Sequence, residues 1–320
     1  GPMDDASLER IPRQLDWNLL RTFMVIVQEG SITRAANRLL LKQPTVSSAL
    51  KRLETQLDRQ LIERGGGAFR VTEAGELLYR ECVDIYGNIS RLSVLLRDVQ
   101  QQIAGHVTIA SASHVVCPFY DETLADVHAR HPGITFQVEV DTSAEVQRAV
   151  LQKTASFGLG LVHERHPQLR YDLMFREHFG FFCGPRHRLF RRRGLTLADL
   201  RQESFVSFKT DQISDALRPV ALLRAQENLA DRIIATSSHL EEVRRMIVAG
   251  IGIGVLPIHA VERDLRDGLL WRLPPYEAPP AIDIYLIANP ATPLNRAEHT
   301  VLAALRRRLA EIPEAQRTYG

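Results

Sequence analysis

The chain has 320 residues, with 40 Lys and Arg against 38 Asp and Glu, 45% hydrophobic and 24% charged. That balance is the one expected of folded globular domains, two or three of them at this length, and it excludes a disordered or collagen-like chain. A net charge of +2 gives the whole chain no general pull on nucleic acid. No apolar run reaches the ~18 residues that cross a bilayer, and the N-terminus has no basic-then-apolar leader, so the expected location is cytoplasmic with no membrane partner. Cys82, Cys117 and Cys183 are scattered, without CxxC or zinc spacing. They read as reduced, buried small hydrophobes, the alternative being a redox pair, and no metal site is expected.

Gly1 and Pro2 ahead of Met3 resemble the scar of a cleaved tag, and residues 1–15 are read as remnant and tail. From Asp16 to Thr72 the chain carries nine Lys and Arg against five Asp and Glu, so the N-terminal part holds the basic bias. Three helices come first. Asp16 can cap a helix whose Leu19, Leu20, Phe23, Ile26 and Val27 form one apolar face, and Gly30 ends it. Ser31 caps a short second helix in which Ala35 and Ala36 permit close packing. Pro44 sits in the first turn of a third helix, where its missing N–H costs nothing, and Val46, Ala49, Leu50, Leu53 and Leu57 face inward. The sequence LIERGGGAFRVT then reads as a hairpin with a glycine tip, the shape of a wing.

Thr72 caps a long helix. Along it Leu78, Cys82, Ile85, Ile89, Leu92, Leu96, Val99 and Ile103 alternate spacings of four and three. An unbroken seven-residue repeat makes a narrow apolar seam suited to pairing with another long helix; the alternative is a helix lying on its own domain. Beyond Gly105 short β-prone runs alternate with helical patterns, which predicts an α/β domain with largely parallel strands. The expected chain crossing between two sublobes lies near Tyr171 to Gly184 and the return near Pro275 to Ile284. A last helix, about 295–310, packs Val301, Leu302, Leu305 and Leu309 on the first lobe. The domains are thus a winged helix-turn-helix at 16–73 with its motif at 31–50, a linker helix at 74–104, and an α/β domain at 105–312. Within the latter, lobe I takes about 105–172 and 283–312 and lobe II about 173–282; residues 313–320 are a tail.

Catalytic constellations are missing. There is no GxSxG, Walker loop or HExxH, and the GxG of AGIGIG lacks a dinucleotide-site context. His131, His163, His166 and His187 read as solvated turn residues, and Arg191 to Arg193 as a solvated face with a phosphate site as the alternative. Binding chemistry is richer. A helix fronted by Gln43, Pro44, Thr45, Ser47 and Ser48, with Lys51 and Arg52 one turn on, presents short hydrogen-bonding groups and a positive dipole end, as a recognition helix entering a major groove requires. Gln43, Thr45 and Ser47 would read base edges. Amides near Ser31 to Thr33, together with Arg34, Lys51, Arg52, Arg64 and Arg70, would meet phosphate. The competing reading is a polar solvated helix face.

The stretch GSITRAANRLLLKQPTVSSALKRLETQLDRQLIERGGGAFRVTEAGELLY resembles the N-terminal winged helix-turn-helix of LysR-type transcriptional regulators, and VRRMIVAGIGIGVLP resembles that family's glycine-rich effector-domain segment. The likeness runs in order from about Trp17 to Ala310. It implies an all-α winged helix-turn-helix domain plus long linker helix, followed by an α/β two-lobed periplasmic-binding-protein-like effector domain. It also implies a bacterial, non-enzymatic regulator, homodimeric through the linker helix and commonly tetrameric, that binds double-stranded DNA at an interrupted inverted repeat and meets RNA polymerase. Ser48 stands where many members carry a basic DNA contact, and Ile62 replaces a usual aromatic. No cofactor is implied, only a small effector between the lobes.

Strand ends locate that effector. Ser111, Ser113 and His114, then Thr142, then Lys209 and Thr210, then Ser238, His239 and Leu240 follow predicted strands, and in an open parallel sheet ligands settle beyond the carboxyl ends, where helix N-termini favour anions. Thr142 and Leu240 also stand at positions matching the family's effector contacts. A small carboxylate is the expected ligand, against the alternative that these hydroxyls only cap helices. Two other readings of the chain remain: a solute-binding module without a transcriptional role, and an α/β enzyme.

Overall fold

The computed structural model describes residues 13–65, 68–96, 103–113, 115–212, 215–229 and 232–320. The chain divides into two compact units between Ser90 and Arg91.

The first unit opens with α1 (Trp17–Glu29), whose N-cap Asp16 accepts a hydrogen bond from the Asn18 amide at 2.9 Å. It stops at Gly30, whose left-handed φ of 67° a residue without a Cβ adopts at least cost. Ser31 caps α2 (Ile32–Leu39) by accepting from the Arg34 amide at 3.3 Å. That helix ends on Leu40, left-handed at φ 57° and 90% exposed, and α3 (Gln43–Leu57) begins at once with Pro44 in its first turn. Leu20, Phe23, Ile26, Ala35, Val46, Leu50 and Leu53 interlock as the core of the three helices. Two short strands, β1 (Ile62–Gly65) and β2 (Ala68–Val71), pair antiparallel with Ile62 opposite Val71, forming the wing; its tip residues Gly66 and Gly67 lie outside the described residues.

The wing leads into α4 (Glu73–Leu96), capped by Thr72, which accepts from the Gly75 amide at 3.0 Å. A Cβ on Gly75 would stand 2.2 Å from the Leu61 carbonyl oxygen, so only glycine lets the helix start against the wing. The heptad stripe of α4 splits in two. Leu78, Cys82 and Ile85 pack into the core of their own winged domain, while Ile89, Leu92 and Leu96 are 45%, 54% and 73% exposed. The seam reading is therefore corrected for the first three residues. It is also corrected for Ile103, which precedes strand β3 (Ala104–Ser111) and packs against the second unit's core instead of extending the helix. Val99 lies outside the described residues.

The second unit continues with α5 (Pro118–Arg130), β4 (Gly133–Val140), α6 (Ser143–Leu151), β5 (Phe157–Gly160) and β6 (Arg170–Cys183). Then come β7 (Phe205–Phe208), α7 (Arg218–Gln226), β8 (Ile233–Ser237), α8 (Leu240–Val248), β9 (Ile253–Pro257), α9 (Glu262–Arg266) and β10 (Trp271–Leu273). It closes with β11 (Ala281–Ala288), α10 (Arg296–Glu311) and β12 (Thr318–Tyr319). The strand order is β4-β3-β5-β11-β6-β9-β7-β8, with β10 and β12 also on β6. Strand β6 belongs to both lobes: its residues up to His178 pair with β11, and those from Phe179 pair with β9 and β10. The crossing thus falls at His178–Phe179, within the stretch Tyr171 to Gly184 though later than the lobe bound of about 172, and the return falls within Pro275 to Ile284 at Pro280, whose carbonyl accepts from the Phe179 amide at 2.9 Å. Pairs β3–β4, β3–β5, β7–β8 and β7–β9 are parallel, as expected for βαβ units. The antiparallel pairs all involve β6 or β11, which carry the chain between lobes, so the sheet is mixed.

The C-terminal residues are built in and are no tail. A 3-10 turn at Glu314–Arg317 precedes β12, and the buried Arg317 guanidinium donates to the Leu173 and Met174 carbonyls at 2.6 and 2.9 Å. Phe157, Phe175, Phe179, Phe181, Phe182 and Phe205 are buried together in the core of this unit. Cys82, Cys117 and Cys183 are free and buried, and burial pushes each thiol up to about 12, the setting of small core residues and not of reactive thiolates.

One buried charge pair ties the last turns of α4 to α10. Arg91 and Glu298 are 4% and 1% exposed; the carboxylate accepts from the guanidinium, from the Ser156 hydroxyl and, at 2.9 Å, from the Asn295 amide. Arg91 Nε also reaches the Pro293 carbonyl at 3.1 Å. Glu298→Ala strands a buried guanidinium, so it is expected to cost about 3 to 5 kcal/mol in denaturant unfolding, with Glu298→Gln losing less. Equal stability of wild type and Glu298→Ala would show that the pair contributes nothing net.

Candidate nucleic-acid interface and effector cleft

Burial of Val46, Leu50 and Leu53 fixes which way α3 faces. Gln43, Pro44, Thr45, Ser48, Lys51 and Arg52 are exposed on the other side, with Thr33 exposed on α2. The helix begins at Gln43, so Ser47 and Ser48 lie in its second turn and not, as the sequence suggested, in its first. Five of the expected DNA-binding side chains already have partners within the domain. Ser31 Oγ serves as a cap. The Arg34 guanidinium donates to the Glu29 carbonyl at 3.0 and 2.5 Å, closing the C-terminus of α1. Arg70 pairs with Glu63 across the wing. Arg64, reaching from β1, donates through both terminal nitrogens to Ser47 Oγ at 3.2 and 3.3 Å, so wing and recognition helix touch. Sequence reasoning missed Lys42: it is the exposed N-cap of α3, makes no side-chain cap bond, and puts a positive charge at the positive helix end. The signal was available, since Lys42 stands two residues before Pro44.

In the second unit hydrogen bonds join the expected strand ends in pairs within each lobe and at one point between the lobes. The Asp141 amide donates to the Ser111 carbonyl at 3.0 Å, and the Lys209 amide to the Ser237 carbonyl at 3.1 Å, which ties the ends together within each lobe. Between lobes the link is Ser113: its hydroxyl accepts from the Leu240 amide at 2.9 Å and donates to the Ser238 carbonyl at 3.2 Å. A lobe I serine thus caps α8 of lobe II. Thr142 caps α6 by accepting from the Glu145 amide at 3.3 Å. Lys209 and His239 are exposed and Thr210 half-buried. Ser111 departs from expectation: it is buried and its hydroxyl turns back on the Ala112 carbonyl at 3.0 Å. His114 lies outside the described residues. The strand ends thus carry two helix N-termini and hydroxyls, with the exposed Lys209 on the lobe II side, chemistry suited to a small polar or anionic molecule.

A winged helix-turn-helix with an exposed polar recognition helix, joined to a two-lobed α/β domain with a cleft at its strand ends, defines a ligand-responsive DNA-binding regulator. Residues 17–76 match the family described as bacterial regulatory helix-turn-helix protein, lysR family, and residues 100–310 match the LysR substrate binding domain. The chain belongs to the LysR family of transcriptional regulators, and it is not an enzyme. It is 26% identical over 311 residues to the HTH-type transcriptional regulator CfxR of Cupriavidus necator, covering 96% of this chain and 91% of that protein. It is 22% identical over 249 residues to CysL of Bacillus subtilis, covering 78% of this chain and 83% of the relative. Among solved structures, full-length OxyR C199D from Pseudomonas aeruginosa superposes with a TM-score of 0.54 at 19% identity, covering 92% of this chain and 95% of that one. Full-length CbnR complexed with its target DNA also gives 0.54 at 19% identity, covering 92% and 99%. Among the described residues no helix is long and apolar enough to cross a membrane.

Ser113→Ala removes the cap that lobe I provides for α8. The Leu240 amide is expected to lose about 1 kcal/mol of protection, roughly a fivefold faster hydrogen exchange. Unchanged exchange would mean that α8 holds its N-terminus without lobe I.

Proposed function

We propose that α3 reads operator DNA through Gln43, Thr45 and Ser48, with Lys42, Lys51 and Arg52 on phosphates and Arg64 held at the groove by Ser47. The supporting observation is the unbroken exposed polar front of α3 above a core that fixes its orientation. In this reading Arg34 and Arg70 act chiefly inside the domain, and Ser31 and Thr33 present α2's first amides to phosphate. Two copies pair through Ile89, Leu92 and Leu96, which nothing in the same chain covers among the described residues. Such pairing places two recognition helices on one DNA face, as an interrupted inverted repeat requires. Tetramer formation, contact with RNA polymerase and a cytoplasmic location belong to the same reading.

The test uses DNA selected from random sequence by the protein itself. Gln43→Ala should lose ~1 to 3 kcal/mol of discrimination between selected and scrambled DNA, whereas Arg52→Ala should weaken both alike and reduce the salt dependence by roughly 0.9 in log–log slope. If every variant weakened both DNAs equally, α3 would not be the reading element.

The effector domain binds a small molecule, and we infer that this molecule is a carboxylate. Thr142 and Ser113 stand at the starts of α6 and α8, where amides and the helix dipole favour an anion, and Lys209 supplies a counter-charge. Thermal-shift screening of small carboxylates should give a ligand that stabilises wild type and much less so Thr142→Val. A stabilising ligand indifferent to Thr142, Ser113 and Lys209 would place the site elsewhere.

A further inference from the structure

A carboxyl group without a hydrogen-bond partner sits where the chain crosses between the lobes. Glu177 on β6 is 0% exposed, and both of its oxygens are buried and unpartnered. Facing it is the His259 ring, with Nδ1 3.8 Å from Oε2, and that nitrogen is also buried and unpartnered. The other ring nitrogen, Nε2, lies 2.8 Å from the Val116 carbonyl oxygen. A carbonyl can only accept, so the ring proton belongs on Nε2, which leaves Nδ1 as an acceptor aimed at the carboxyl group.

These groups come from both lobes. Glu177 lies in the lobe I part of β6, one residue before the crossing, His259 follows β9 in lobe II, and Val116 belongs to the segment joining β3 to α5 in lobe I. The same segment contains Ser113, so lobe II holds it at two places, α8 and His259. Tyr319 stacks on the imidazole with centroids 4.9 Å apart, and Phe175 meets it edge-on at 5.9 Å, which keeps water from the pair.

Burial of an uncompensated carboxylate is costly, and it holds the Glu177 acid well above the usual carboxyl range; burial likewise lowers His259. With the carboxyl group held neutral by its burial and the ring proton on Nε2, the carboxyl group faces the Nδ1 lone pair across 3.8 Å, longer than a formed hydrogen bond but one small side-chain shift from it. The other groups around it are the Tyr319 hydroxyl, the Cys117 thiol bonded to it, Glu262 after His259, His178 on the Tyr319 carbonyl, Arg317 on the β6 carbonyls, and Asp121 and Glu122 at the start of α5. Burial pushes both Tyr319 and Cys117 up to about 12, so neither titrates in the working range.

We propose that Glu177, His259 and the Val116 carbonyl form a proton-dependent latch between the lobes: the carboxyl proton keeps Val116 against lobe II, and its loss frees Val116 and loosens the effector cleft. The latch stands on contacts already described and does not depend on which effector the cleft takes. A carboxyl group raised in the folded state contributes its full stability below the ordinary carboxyl range and loses it as pH climbs to the folded-state value.

The test needs no effector. In the full-length protein, hydrogen exchange of peptides covering the 115–120 segment and the start of α8, corrected for intrinsic rates, is followed from about pH 6 to about pH 9. Wild type should lose protection about tenfold with rising pH, while Glu177→Gln, isosteric and permanently neutral, keeps its low-pH protection and melts with wild type at the acid end. A wild-type profile that is flat, or a Glu177→Gln profile parallel to a falling wild-type one, would overturn the latch. Nitrogen NMR of the wild-type imidazole gives an arm that needs no variant. A neutral Nε2–H ring at neutral pH supports the latch, and an imidazolium there would show an ion pair instead and sink it.

Discussion

An apolar stripe on a helix has to be covered, and α4 carries one longer than its own domain can cover. Leu78, Cys82 and Ile85 complete the core beneath α1 to α3. One heptad spacing further on, Ile89, Leu92 and Leu96 face solvent. Burying an aliphatic side chain is worth about 1.5 to 3 kcal/mol, so the exposed half is a standing driving force for association. In the proposed dimer a second α4 carries the matching stripe, and the partner that covers the seam also supplies the second recognition helix.

The effector domain rests on a different economy, in which a few buried polar groups hold an otherwise phenylalanine-rich core in register. Arg91 is balanced by Glu298 and reaches α10 from α4. Ser113 spans the lobes by capping a helix that is not its own. Because β6 runs through both lobes, a change in lobe closure bends or twists a strand that also carries Glu177 and the docking site of the C-terminal residues. The strand ends, the crossing strand and the last turns of α4 from Arg91 therefore belong to one compact unit.

Much of this was legible in the sequence because its signals are local. Asp16, Ser31 and Thr72 were readable as caps, Gly30 as a stop, and the glycine run as a hairpin tip, since each acts within a few residues. The split of the heptad stripe was not, because Cys82 and Ile89 have identical periodicity and differ only in what lies opposite. Long-range side-chain bonds left no spacing to find: Arg64 on Ser47 and Ser113 on Leu240 depend on tertiary approach. Nor did the C-terminal residues announce that Arg317 would be buried. Glu177 did leave a trace. In a strand, Arg176 and His178 share one face, and Glu177 between them must turn the other way, into the core.

Sedimentation of the full-length wild type and Ile89→Asp tests the central claim most directly. Ile89 is exposed within its own chain, so the substitution leaves the winged domain folded; against a partner helix it buries an uncompensated carboxylate. The account predicts a wild-type dimer or higher assembly and a folded, monomeric Ile89→Asp chain with weakened DNA binding. A variant that sediments with the wild type and binds DNA equally well would contradict it.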